Sequence, residues 1–300
     1  MRLGHATEAA TVTQLIDELA RTMHLAGVPR SSAEASDIVA ALYDVPRFWP
    51  MMNGSRVVEP TLHERAAIAA VARAKGAPLA YAVARAPFRH LTLAVDERVL
   101  IPRPETERLV DIILAETPAS ANAVVADVGT GSGAIAIALS TEGGDRFSRI
   151  YATDVSRDAL DVASANIRQR EAQLRAPIDV VHGAVLEPLA GIHPHVIVSN
   201  PPYIAMDESA ALPSSVRDFE PAVALYGGAD GMSVIRELVH QSGRCLAPGG
   251  LLAIEVDARR ASLAVDLVDR EQCFHSIRIE LDLTGRERFV LARRQEERER

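Results

Sequence analysis

From Pro104 onward the chain alternates short, mostly apolar runs with longer amphipathic stretches, and this alternation constrains the fold more than any other feature. Residues 123–127, 149–153, 178–181, 196–199 and 251–256 have the length and apolar content of strands buried on both faces. Between and beside them, residues 105–116, 133–140, 156–170, 232–246 and 260–268 repeat their apolar positions at helical spacing. Strands that follow one another through helices run parallel, because only a tight turn reverses direction at once. The expected fold is α/β: a doubly wound, mostly parallel seven-stranded sheet with helices on both faces. An antiparallel pair near residues 274–281 and 288–292 closes it.

Residues 11–74 follow a different rule. Val12, Leu15, Ile16 and Leu19 return at three- and four-residue intervals, the mark of a helix with one buried face. Ser31 and Ser32 read as caps of a helix over 33–43, and Pro60-Thr61 as the start signal of one over 62–74. The aromatic and proline segment 46–50 reads as a packed loop. A small N-terminal helical domain is therefore expected over 1–84, with a role in substrate recognition. Near Pro87 the period drops to two: Phe88, Leu91, Leu93 and Val95 alternate with polar residues, so 85–101 is expected as a linking β-hairpin. The larger domain then spans 102–292, and 293–300 reads as a charged, solvated tail. Cys245 and Cys273 lack metal-ligand spacing and read as buried reduced thiols. Residues 1–10 lack an apolar signal core, and no run approaches the roughly 20 apolar residues that cross a bilayer, which points to the cytoplasm. The net charge of −8 argues against affinity gained by neutralising many nucleic-acid phosphates.

The chemistry concentrates at two strand ends. Asp127-Val128-Gly129-Thr130-Gly131-Ser132-Gly133 lies between the first strand of the larger domain and its helix, where glycines let the backbone turn sharply and approach a ligand. Asp154 ends the next strand about 20 residues on, where an acidic side chain accepts hydrogen bonds from ribose hydroxyls. Gly129, Gly131 and Ala134 also satisfy the relaxed dinucleotide fingerprint, so a nicotinamide dehydrogenase is one reading. The GxGxG form of the loop favours S-adenosylmethionine instead. So does Asn200-Pro201-Pro202-Tyr203 after the strand 196–199, which has no task in hydride transfer. An Asn side-chain carbonyl and the Pro201 main-chain carbonyl together grip both hydrogens of a planar NH2 group. Tyr203 supplies a flat face for that group or for the incoming cation.

With these motifs in order, the chain resembles the class I S-adenosylmethionine-dependent methyltransferases that methylate amino groups. Val99-Leu100-Ile101-Pro102-Arg103-Pro104-Glu105-Thr106-Glu107 resembles the hallmark of the HemK/PrmC family of protein-(glutamine-N5) methyltransferases, which modify the Gly-Gly-Gln loop of peptide chain release factors. Residues 76–81, Phe219-Glu220-Pro221 and residues 282–288 extend the resemblance across most of the chain. It implies catalytic roles for Asn200, Pro201 and Tyr203. Cofactor contacts are implied at Asp127, Gly129, Thr130, Gly131, Ser132, Gly133, Asp154, Val155, Val185 and Asn200. Substrate contacts are implied at Asn200, Pro201, Pro202 and Tyr203, with Arg103, Glu105 and Glu107 shaping the rim. Release factors are the implied partners, with no nucleic acid, membrane or metal.

Several positions depart from the family pattern: Ala84 stands at a usual Gly, Ala184 and His195 at usual Asp positions, and Asp257 at a usual Gly, with Arg259 and Arg260 near a usual Gln. Two competing readings remain beside the resemblance. An adenine-N6 or guanine-N2 nucleic-acid methyltransferase presents the same planar NH2 to the same four residues. A non-catalytic module keeping the cofactor fold is the other, motivated by Ala184, His195 and Asp257.

Overall fold

The structure, a computed structural model, describes residues 10–296. The expected absence of a signal core in 1–10 and the last part of the expected tail, 297–300, lie outside or at the margin of those residues. The chain divides into two compact units, one running to Arg85 and including Ser214–Phe219, the other formed by Ala86–Pro213 and the chain from Glu220 onward. Ser214–Phe219 is a segment that no composition shift separates from its flanks.

The helical unit contains α1 (Val12–Leu25), α2 (Ser31–Tyr43), α3 (Trp49–Met52), α4 (Pro60–Ala74) and α5 (Leu79–Ala82). A reciprocal cap starts α1: Thr11 Oγ1 accepts the Gln14 N–H at 3.3 Å, and Gln14 Oε1 accepts the Thr11 N–H at 2.7 Å. Leu15, Leu19 and Met23 of α1, Ile38 and Val39 of α2, and Ala66, Ala69 and Ala70 of α4 form its buried core. Three local expectations are corrected. Ser31 and Ser32 lie inside α2, whose N-cap is Arg30 with no side-chain bond. Helix α4 begins at Pro60 itself, because a proline at the first helical position has no N–H to leave unsatisfied. Segment 46–50 is not wholly a packed loop, since Trp49 and Pro50 open α3 while Phe48 stays 60% exposed. Ala84, at a usual Gly, holds φ at +55°, a left-handed conformation that glycine adopts without steric penalty.

A two-stranded sheet follows, made of β1 (Arg85–Phe88), which belongs to the larger unit from Ala86 on, and β2 (Leu91–Ala94). There follow α6 (Pro104–Glu116), β3 (Ala123–Val128), α7 (Ala134–Glu142), β4 (Phe147–Asp154), α8 (Arg157–Gln169), β5 (Ile178–His182) and β6 (Val196–Ser199). Short helices α9 (Ser214–Arg217, in the other unit) and α10 (Ala222–Leu225) precede α11 (Ser233–Cys245), β7 (Leu251–Glu255), α12 (Ala261–Arg270), β8 (Phe274–Leu281) and β9 (Glu287–Arg294). The seven-stranded sheet runs β5-β4-β3-β6-β7-β9-β8, parallel through β7 and antiparallel in the last two strands. This is the α/β class that the alternation predicts.

Period-two side-chain direction sorts each strand between two cores. Val125, Val196, Val198, Leu251, Ala253 and Leu291 face one, and Ala126, Ile197, Leu252, Ile254 and Val290 the other. Helix α7, Ala-Ile-Ala-Ile-Ala-Leu-Ser, is buried all round and fills the first layer. An exposed ion pair such as Arg98–Asp96 contributes about 0–1 kcal/mol, whereas burying one Leu or Ile side chain contributes about 1.5–3. The two apolar layers therefore decide the architecture. Two further expectations change here. Both cysteines are free but half-buried rather than buried, and partial burial raises their thiol pKa values. The expected tail starts too early: Arg293 and Arg294 end β9, and the Arg293 guanidinium meets Glu116 Oε2 at 2.8 Å.

Parallel register aligns the strand ends that carry the motifs. Val128 of β3 pairs with Thr153 of β4 on one side and Ser199 of β6 on the other. From β3 the chain adds β4 and β5 on one side and then crosses to add β6 and β7 on the other, and this switch in strand order opens a crevice at the carboxyl ends of the strands. Buried Asn166 of α8 ties the end of β2 to Ser132 of the loop after β3: Oδ1 accepts the Ala94 N–H at 2.8 Å, while Nδ2 donates to the Ala94 and Ser132 carbonyls, each at 2.9 Å. Asn166→Ala would leave three backbone groups without partners, so we expect a loss of about 2–3 kcal/mol of stability in urea denaturation. Stability within about 0.5 kcal/mol of wild type, the range of neutral surface changes, would show that this pin contributes little.

Candidate active site

Strand β3 delivers Asp127 and Val128 into the loop Gly129–Gly133. The three glycines hold φ at +71°, +55° and +82°, which only glycine adopts readily three times within five residues. The Gly129 and Thr130 N–H groups both donate to the Thr153 carbonyl, at 2.8 and 2.9 Å, tying the loop to β4. Beneath it lies Asp127, fully buried, whose Oδ2 accepts the Thr130 hydroxyl at 2.7 Å and the Ala136 N–H at 3.1 Å. Its Oδ1 has no hydrogen-bond partner among the described residues, and burial pushes its pKa up to about 7. Asp154, at the end of β4, clamps the loop from the side: Oδ2 accepts the Gly131 N–H at 3.0 Å and Oδ1 the Ser156 N–H at 2.9 Å. Burial raises its pKa, and these N–H bonds oppose that shift.

Strand β6 delivers the second motif. The Ser199 hydroxyl donates to the Val128 carbonyl at 2.7 Å, locking the two strand ends together. Asn200 Nδ2 donates to Thr106 Oγ1 at 3.0 Å, and that hydroxyl donates to Glu255 Oε2 at 2.7 Å. Behind the motif, Tyr226 joins Ile204 in an isolated bridge, and the Gly227 N–H donates to the Ile204 carbonyl at 3.0 Å.

One cavity of about 330 Å³ joins these pieces. Its walls include Gly129, Thr130, Gly131 and Ser132 of the glycine loop, Asp154 and Val155 after β4, Val185 after β5, and Asn200, Pro201 and Pro202 after β6, with Arg103 at one side. The structure thus brings together two motifs separated by about 70 residues of sequence, as the register of parallel strands demands.

Five residues of the sequence reading stand apart from the cavity walls. Asp127 holds the loop from below through the Thr130 hydroxyl, and Gly133 ends the loop as the N-cap of α7. Tyr203 packs half-buried against the core, where burial pushes its pKa up to about 12. Glu105 is exposed, and Glu107 Oε1 accepts the Arg89 N–H at 2.9 Å, steadying the β1–β2 turn instead of forming a rim. Arg103 does line the cavity, with Nη2 held at 2.7 Å by buried Glu220. Among the departures only Ala184 lines the cavity. His195 accepts the Val124 N–H at 3.0 Å near the start of β3, and Asp257 pairs with Arg259. Sequence reasoning missed Thr106, Phe88 and Tyr226 as site residues. Thr106 carried a usable signal, lying within the Pro-Arg-Pro-Glu-Thr-Glu segment, whereas Phe88 and Tyr226 carried none. Val185 sits in the cavity wall with φ at +49°, a strained conformation for a β-branched residue, and its carbonyl accepts the Thr153 hydroxyl at 3.2 Å.

The glycine loop and Asn200-Pro201-Pro202 share one cavity at the carboxyl edge of the sheet, an arrangement that suits a methyltransferase, and the family model described as Methyltransferase small domain matches residues 106–214. The relatives narrow the class. A release factor glutamine methyltransferase of Mycolicibacterium smegmatis is 37% identical over 98% of this chain and 98% of its own length. Those of Moorella thermoacetica and Gloeobacter violaceus are 35% and 36% identical, covering 96% and 87% of this chain and 100% and 90% of their own. The chain belongs to the release factor glutamine methyltransferase family.

Proposed function

We propose that this protein transfers a methyl group from S-adenosylmethionine to the side-chain amide nitrogen of the Gly-Gly-Gln glutamine of peptide chain release factors. The observation that carries the reading is the placement of Asn200 and Pro201 in the same cavity as the glycine loop and Asp154. The residues suit the cofactor. A Cβ on Gly129 or Gly131 would meet no atom within 4 Å, so both front open space in which a ligand can approach the backbone. Asp154 keeps lone pairs beyond its two N–H bonds for ribose hydroxyls. Gly129–Ser132 and Asp154 would hold the nucleoside, and Ala184 and Val185 would flank its base. Bound there, S-adenosylmethionine supplies an electrophilic methyl group.

An amide nitrogen is a weak nucleophile because its lone pair is delocalised into the carbonyl. The protein's contribution is alignment, which in ideal cases supplies roughly 7–11 kcal/mol. Asn200 Oδ1 and the Pro201 carbonyl would accept the two amide hydrogens and turn the nitrogen lone pair toward the methyl group. Arg103, fixed by Glu220, would border the glutamine's entry. We assign substrate recognition to the helical unit and the activity to the cytoplasm; among the described residues no helix is long and apolar enough to cross a membrane.

The test is mass spectrometry of purified release factor after incubation with the protein and S-adenosylmethionine, with nucleic acid as a parallel substrate. A gain of one methyl group on the Gly-Gly-Gln glutamine is expected. Methylation of nucleic acid instead, or of neither, would overturn the reading.

A further inference from the structure

The two ends of an Asn side chain are nearly isosteric, so packing alone does not decide whether oxygen or NH2 faces a cavity. Hydrogen bonding decides it, and here the decision traces back through two buried residues. Glu255 closes β7 with 1% exposure, and Thr106 of α6 has 4%. When Glu255 is ionised its carboxylate only accepts hydrogen bonds, so the Thr106 hydroxyl then spends its single proton on Glu255 Oε2 at 2.7 Å. That leaves a hydroxyl lone pair toward Asn200 at 3.0 Å, and a lone pair takes only the NH2 end. The Asn200 oxygen is turned away from Thr106 as a consequence.

We propose that Glu255 and Thr106 are positioning residues that set the polarity of Asn200, so that its oxygen rather than its NH2 meets the reacting group. Selection of a planar NH2 donor, and rejection of a carboxylate or carbonyl oxygen at the same place, follows from that polarity. The inference rests on the glutamine-methylating reading and deepens it: glutamine matches an acceptor, whereas glutamate in the same position presents two oxygens to it and is refused.

The surroundings of Glu255 bear on how the chain responds to pH. Arg288 of β9 and Arg103 before α6 favour its charged form, while Glu105 at the start of α6 and half-buried Tyr203 are its other titratable neighbours. Burial dominates and pushes the carboxyl up to about 7, against the Thr106 hydrogen bond that pulls it down. When Glu255 takes up a proton it becomes a donor to Thr106, the hydroxyl is freed to donate to Asn200, and the amide no longer has a preferred end. Turnover should therefore fall as pH drops through about 7 in the wild-type protein.

The experiment compares wild type, Thr106→Val, Thr106→Ser and Glu255→Gln on a release factor substrate, with S-adenosylhomocysteine affinity measured by calorimetry on each to verify an intact cavity. Thr106→Val should lower kcat by about tenfold to a hundredfold, the usual effect of removing a group that orients a reacting one, with KM and S-adenosylhomocysteine affinity unchanged. Thr106→Ser, which keeps the hydroxyl, should restore most of kcat. Glu255→Gln accepts or donates equally well, so its kcat should be reduced and should lose the acidic limb near pH 7. Wild-type turnover in Thr106→Val, failure of Thr106→Ser to recover, or an unchanged acidic limb in Glu255→Gln would overturn the polarity chain and leave the functional reading standing. Absence of release factor methylation by the wild type would overturn both.

Discussion

Asn200→Ala is expected to lower turnover by about two orders of magnitude or more, with S-adenosylhomocysteine affinity nearly unchanged. Losing one preorganised polar group at a reacting centre has effects of this size, roughly 2.7 kcal/mol at 1.36 kcal/mol per tenfold. The cofactor side should be spared because the glycine loop is held by Asp154, Asp127 and the Thr153 carbonyl, none of which bonds to Asn200. Single-turnover rates with saturating cofactor, together with calorimetry, separate the two effects. Wild-type turnover in the variant would remove Asn200 from the reaction, and a parallel loss of cofactor affinity would reassign it to cofactor binding.

Gly227→Ala should be nearly as damaging, although Gly227 lies outside the motif. A Cβ there would overlap the Pro202 carbonyl oxygen and approach the Gly231 oxygen to 2.6 Å. Both are backbone atoms, so no side-chain rotation relieves the overlap. The Asn200–Tyr203 turn or the 227–231 loop has to shift, and a displacement near 1 Å at a reacting centre lowers rate by roughly a hundredfold. Measured kcat falling to that extent, with S-adenosylhomocysteine affinity retained, is the expected result. An alanine variant with normal kcat would mean that the turn tolerates displacement and that its rigidity is no part of catalysis. Gly231 reinforces the arrangement from the other end: its φ is +74°, and a Cβ would overlap the Tyr203 carbonyl oxygen. These two glycines behave as spacers that let one stretch of main chain lie flat against another.

The sequence alone determined the parts whose information is local. Strand runs such as Val196–Ser199 and Leu251–Glu255 are readable because burial on both faces leaves no polar alternation, and β8 and β9 because they pair side by side. Glycine at 129, 131 and 133 was readable because left-handed backbone admits few other residues, and the Asn200 motif because its residue types suit a planar NH2. Only the tertiary structure decided which side of an element each side chain serves. Tyr203, expected at the substrate, lies outside the cavity walls and packs half-buried against the core, and Glu107, expected at a rim, bonds the Arg89 N–H of the β1–β2 turn. Thr106 and Glu255, separated by about 150 residues, became one hydrogen-bonded chain with Asn200. The physical reason is that hydrophobic period specifies that an element is buried, whereas the partner of a buried polar atom is set by sheet register and helix placement, which no single stretch of sequence contains.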